Sequence, residues 1–153
     1  MTVFQPQDPA FESRIRESFV RQKVMGLIGA VLTRVEPGRV EIELPFRDDL
    51  TQQHGFFHAG IVGTIADSAG GYAAYTLMPA GSSVLSVEYK INLLAPADGE
   101  RLVASGRVVR PGRTLTVCDL EVAVIKAGAR TLCARGMQTL IGLARRPGGA
   151  PPG

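Results

Sequence analysis

One acid stands alone in the most apolar part of this chain. The segment HGFFHAGIVGTIADSAGGYAAYTLMP, residues 54–79, carries a single charged side chain, Asp67. Between Asp49 and Glu88 there is no other Asp, Glu, Lys or Arg. Burying a carboxylate without a partner costs on the order of several kcal/mol. Two readings follow. Asp67 either satisfies a backbone group or an arginine from elsewhere in the fold, or it acts as a general base or nucleophile in an apolar pocket.

The same segment holds His58-Ala59-Gly60 where a helix is expected to begin. A helix N-terminus offers unpaired N–H groups and the positive end of its dipole. The small residues Ala59 and Gly60 let a substrate carbonyl approach that backbone, and such donors stabilise an oxyanion. Asp67 follows His58 by nine residues, about two and a half helical turns. One copy's carboxylate therefore cannot serve its own helix N-terminus closely. It can serve that of a neighbouring copy, so an active site shared across a dimer is expected. His54 and His58 lack an evident third ligand, and no metal site is expected.

The elements that must position these groups are readable from periodicity. DPAFESRIRESFVRQK reads as an amphipathic helix with Asp8 as N-cap, Pro9 at its first position and a stripe of Phe11, Ile15 and Phe19. Residues 27–46 read as a hairpin turning at Pro37-Gly38, with Val40, Ile42, Leu44 and Phe46 alternating against Glu41 and Glu43. A loop to Phe57 then leads into a helix to Leu77 that is apolar nearly all round, and such a helix is a buried one. Four strands follow. In the first, Leu85, Val87, Tyr89 and Ile91 alternate with Ser86, Glu88 and Lys90. Turns at Pro111-Gly112 and Ala127-Gly128 separate the last three. The expected fold is α+β: one antiparallel sheet, ending in a four-strand meander, wrapped around one central helix. A second subunit is one way to cover its free edges.

Composition bounds the function classes. The 153 residues are 45% hydrophobic, which suits one domain with a real core. That domain is expected over residues 1–142, its first seven residues loose, with residues 143–153 a flexible Pro/Gly-rich tail. Of 17 basic residues 14 are Arg, and they are scattered without interleaved aromatics. That pattern excludes a nucleic-acid groove. Residues 59–79 approach the length of a membrane span, but Thr64, Asp67, Ser68, Thr76 and several glycines point instead to a buried helix. Cys118 and Cys133 do not form a disulfide framework, and Cys118 shares a strand face with Leu120, Val122 and Val124. With no basic-then-apolar leader pattern, a reducing, cytoplasmic setting is expected.

Gln52-x-x-Gly55-x-x-His58-Ala59-Gly60, followed by Asp67, resembles a motif of the hot-dog fold acyl-CoA thioesterases of the phenylacetate-degradation (PaaI-like) group. Their pattern is Asn-x-x-Gly-x-x-His-Gly-Gly, then Asp or Glu. SVEYKINLLAPA, the RPGRT turn and the strand–turn–strand after it resemble theirs too, so the likeness spans residues 15–142. It implies a hot-dog fold, hydrolysis of an acyl-CoA thioester to free acid and CoA, and a homodimer or homotetramer. No cofactor is implied beyond the coenzyme A of the substrate. Asp67 falls on the family's general base or nucleophile, and Ala59 on the residue whose N–H polarises the thioester carbonyl. His58 shapes that loop. Gln52 takes the place of an Asn that orients water or thioester, and Ser86 lies near a water-orienting Ser or Thr. Arg110 and Arg113 flank a turn that can meet nucleotide phosphates. The acyl group would lie along an apolar dimer crevice bounded by Phe56, Phe57, Tyr72 or Tyr75. Ala59 for Gly and Gln52 for Asn are departures that imply a distinct acyl preference or reduced activity. Two rivals remain. A hydratase or dehydratase of acyl thioesters would show prolines before the helix, and QQHGFFHAG has none. A non-catalytic acyl-CoA binding module would bind without turnover.

Overall fold

The computed structural model describes residues 3–144. In chain order the elements are α1 (Phe11–Arg21), α2 (Lys23–Ile28), β1 (Val31–Glu36), β2 (Arg39–Pro45), a 3-10 turn (Asp48–Leu50) and α3 (Ala59–Tyr75), followed by β3 (Ser83–Leu93), β4 (Arg101–Arg110), β5 (Leu115–Lys126) and β6 (Ala129–Leu143). All pairings are antiparallel, and the six strands run β1-β2-β4-β5-β6-β3. The fold is α+β, with α3 packed across one sheet face.

The hairpin turns where expected, with Gly38 at φ +76, a left-handed conformation that favours glycine. α3 is buried along most of its length because its side chains are small or apolar. Val62, Ile65, Ala66, Ala69 and Ala73 join Ile42, Leu44, Leu102, Leu120 and Leu140 of the sheet in one core. Each such Val, Leu or Ile contributes about 1.5–3 kcal/mol by burial. α3 and β4 approach closely at Gly106, where a Cβ would overlap the backbone of Ala69 and Gly70. At the other end of α3, Arg14 of α1 donates to the carbonyls of Met78 at 2.9 Å and Tyr75 at 3.4 Å and lies 4.3 Å from the centre of the Tyr75 ring. A cation there suits the negative end of the helix dipole.

Six expectations change. Asp8 does not cap α1: Ala10 is the N-cap, while Asp8 accepts the Ala10 N–H at 2.9 Å and meets Arg14 at 2.9 Å in an ion pair off the hydrogen-bond direction. Lys23–Ile28 is helical, so the hairpin starts later than residue 27. Its Gly29, at φ +80, ends that helix. Residues 3–7 are anchored rather than loose: Phe4 packs on the core and Gln7 donates to the Leu77 carbonyl at 2.9 Å, while residues 1–2 lie outside the described residues. The four-strand meander is only three strands, since β3 pairs with β6 at the far edge and residues 94–100 carry the chain back to β4. Alternation reports which face a strand buries, not which neighbour it takes. Finally, β3 does not alternate uniformly, because its register shifts between Ser86 and Glu88. Of the expected tail, Leu143 belongs to β6 and residues 145–153 lie outside the described residues.

Candidate active site

Asp67 lies midway along α3, half-buried, where β3 and β6 pass beneath the helix. Its Oδ1 accepts from Ser86 Oγ at 2.6 Å and from Gln138 Nε2 at 2.6 Å. Gln138 Nε2 also donates to Ser86 Oγ at 2.9 Å and to the Asp67 carbonyl at 3.2 Å. Among the described residues Oδ2 accepts no hydrogen bond, and no Arg or Lys forms an ion pair with Asp67. The arginine partner that one sequence reading allowed is therefore not present among those residues. The carboxylate opens on a pocket of about 390 Å³ lined by Ser18, Arg21, Gln22, Ser68, Tyr72 and Ser86, among others.

The bulge in β3 explains how Ser86 arrives there. Val84 packs on the core and Ser86 bonds Asp67, so residues before the bulge send even positions toward α3. Past it, odd positions take over: Tyr89 lies against Gly63 of α3 and Ile91 packs on the core. An extra residue in one strand reverses the facing of all that follow. Leu85 and Val87 are left exposed, at 55% and 53%, on the free edge of the sheet.

The residues expected around the oxyanion turn gather at the start of α3. His58 is the N-cap, and its Nδ1 accepts the Gly60 N–H at 2.9 Å. That bond makes Nδ1 an acceptor and places the ring proton on Nε2. The backbone is fixed by His58 N–H to the Leu50 carbonyl at 3.0 Å and Phe57 N–H to the Ala97 carbonyl at 3.0 Å. Among the described residues the Ala59 N–H donates to no acceptor, as expected of a first-turn amide. Gln52 closes its own loop, its Oε1 accepting from the His54 N–H. Gln52, Phe56, Phe57 and Ala59 line a second pocket of about 450 Å³ with Leu93 and Pro96. Phe57 is held edge-on by Phe46, with ring centroids 5.5 Å apart.

The chain thus sorts its site residues into two groups. Asp67, Ser86 and Tyr72 share one pocket, and Gln52, Phe56, Phe57 and Ala59 share the other. Ala59 and Asp67 are separated by about 12 Å along the helix axis at 1.5 Å per residue. Tyr72 is nearly buried against Phe19, and burial pushes its phenol up, partly offset by the Ser18 hydroxyl 3.3 Å away. Tyr75 lines neither pocket, because its hydroxyl is committed to the Ser82 carbonyl at 2.8 Å. Arg110 is exposed at the end of β4, and Arg113 lines a third pocket of about 260 Å³ beside Pro111 and Met78. Gln138 was missed by the sequence reading. Its signal was a polar residue at an inward position, between Gly136 and Leu140, in a strand whose inward positions are otherwise apolar or small.

Residues 54–133 match the family model of the thioesterase superfamily. The chain belongs to that superfamily. A thioesterase family protein of Silicibacter pomeroyi has a crystal structure that superposes with a TM-score of 0.87 at 47% identity, covering 88% of this chain and 99% of that one. Human acyl-coenzyme A thioesterase 13 is 28% identical over 77% of this chain and 81% of its own length. The PaaI protein of the E. coli phenylacetic acid degradation operon shares the hot-dog fold, with a TM-score of 0.79 at 16% identity over 90% of this chain and 96% of that one. This thioesterase is therefore a hot-dog protein and a thioester hydrolase, as the motif implied. Among the described residues no helix is long and apolar enough to cross a membrane.

Proposed function

We propose that this thioesterase hydrolyses acyl-coenzyme A at a site assembled between two copies, with Asp67 of one copy acting at the α3 N-terminus of the other. The observation that carries the reading is the state of the Asp67 carboxylate. One oxygen is held by two donors, the other has no protein partner among the described residues, and Asp67 lines a pocket. The name of the human relative specifies acyl-coenzyme A, which supports that class of substrate. The free β3 edge, with exposed Leu85 and Val87, supports association of copies. Phe56, Phe57 and Tyr72 would border the acyl group, and Arg110 and Arg113 would meet nucleotide phosphates. Gln52 would orient water or the thioester.

In the general-base route, a water gives one proton to Asp67 Oδ2 while its oxygen bonds to the thioester carbonyl carbon. The carbonyl oxygen gains negative charge and takes a hydrogen bond from the Ala59 N–H. Collapse breaks the carbon–sulfur bond, and the proton held by Asp67 passes to the departing thiolate. In the nucleophilic route, Oδ2 itself attacks, thiolate leaves, and water hydrolyses the resulting anhydride. His58 and Gly60 shape the oxyanion turn in either case.

The test is thiol release from acetyl-, hexanoyl-, palmitoyl- and benzoyl-coenzyme A by the wild type and Asp67→Ala. Turnover that disappears in a folded Asp67→Ala supports the reading. Absence of turnover across the panel overturns it, and tight acyl-coenzyme A binding without hydrolysis would make the chain a binding protein instead.

A further inference from the structure

We infer that Gln138 is a positioning residue for Asp67, selecting which carboxylate oxygen reacts. The inference rests on the role proposed above for Asp67. Three observations carry it. First, Gln138 is fully buried, yet its Nε2 meets Asp67 Oδ1 at 2.6 Å, Ser86 Oγ at 2.9 Å and the Asp67 carbonyl at 3.2 Å. A carboxylate only accepts, so the amide must present its nitrogen, and this orientation is fixed by chemistry.

Second, the three side chains form a closed set. Ser86 Oγ accepts from Gln138, so its own proton is free to point at Asp67 Oδ1, 2.6 Å away. Both donors converge on Oδ1. Oδ2 alone is left for a water or a thioester carbonyl in the pocket. Without Gln138 the Ser86 hydroxyl can rotate and the carboxylate can turn about its terminal torsion, which is broad. Either motion would exchange the two oxygens and misplace the reacting one.

Third, the fold accepts a penalty to keep this residue. Gln138 Oε1 is buried and has no hydrogen-bond partner among the described residues. A buried unpaired carbonyl is destabilising. Together with Leu120 Cδ2 it fills the space that a side chain at position 70 of α3 would enter, a space Gly70 leaves open. An apolar residue of similar volume at position 138 would remove the orphan. A polar group kept at a stability cost beside a reacting carboxylate is a sign of function.

The experiment compares Gln138→Leu, Gln138→Met and Asp67→Ala with the wild type, on whichever acyl-coenzyme A of the panel turns over fastest. Each protein is also melted thermally. The expected result for Gln138→Leu and Gln138→Met is a melting temperature equal to or above wild type. Their kcat should fall at least about tenfold with KM within about twofold, the pattern of a lost transition-state arrangement. Adding Ser86→Ala to Gln138→Leu should lower kcat by less than the product of the single losses, because both act through Oδ1. A wild-type kcat in a folded Gln138→Leu, alongside inactive Asp67→Ala, overturns the inference and leaves the role of Asp67 intact. A joint fall of melting temperature and kcat in both apolar variants marks Gln138 as packing alone and also overturns it. Activity retained by Asp67→Ala overturns both readings together.

Discussion

Replacing Gly106 by Ala should cost far more than one methyl group suggests. Gly106 lies on β4 opposite Leu120 of β5, directly under α3. The added Cβ would overlap the Ala69 carbonyl and the Gly70 amide nitrogen. Both are backbone atoms in mid-helix and cannot rotate aside. The helix would have to lift by about 1 Å, and a gap of that size forfeits roughly a quarter to a half of each dispersion contact it opens. α3 buries ten residues, so the loss is shared along the whole helix. Overpacking costs about 1–3 kcal/mol, and a clash between backbones belongs at the upper end. About 3 kcal/mol is a large share of a domain's net stability. The assay is denaturant unfolding, where the midpoint should fall at unchanged m. The same lift carries Asp67 away from Ser86 and Gln138, so thioester turnover should fall too. Gly26→Ala is the control. It is the same chemical change inside a helix, with nothing within 4 Å of the new Cβ. It should stabilise by about 0.5–1 kcal/mol. If Gly106→Ala lies within about 0.5 kcal/mol of wild type, the close approach of α3 to β4 is refuted.

Two further outcomes follow from the same structure. Cys118 is fully buried, and burial pushes its thiol from 9.0 up to about 12. The folded state then holds a proton that the unfolded state releases, so the stabilisation is complete below pH 9 and is lost as pH rises toward about 12. Unfolding followed between pH 8 and 11 should show that decline, diminished in Cys118→Ala; an equal slope in both proteins would refute it. On the β3 edge, Val87→Lys places a charge where an exposed apolar side chain stood. If copies join there, sedimentation should show a smaller species and turnover should fall, whereas wild-type mass and activity would exclude that edge as the interface.

Much of the fold was legible because its signals are short-ranged. The α3 start at His58, the hairpin at Pro37-Gly38 and the strands around Cys118 follow from turn chemistry and local alternation. Asp67 was visible as the lone acid in an apolar segment, and the 8-residue spacing to Ala59 already separated it from the helix N-terminus. The α2 helix was not legible, since six residues of KVMGLI carry too little periodicity to distinguish helix from strand. The capping of α1 was misread for a related reason. Asp8 can bond locally in several ways, and its ion pair with Arg14 belongs to only one of them.

The sequence by itself determined most of the elements, the buried character of α3 and the candidate acid, because these depend on residues within a few turns of one another. Only the tertiary structure decided what that acid meets. Gln138 reaches Asp67 across 71 positions of chain, and Ser86 faces it because a bulge between Ser86 and Glu88 reverses the alternation of β3. The place of β3 beside β6 was likewise set by the whole sheet. Pairing partners and register are long-range properties: they depend on how all the strands close over one helix, and no local pattern records them.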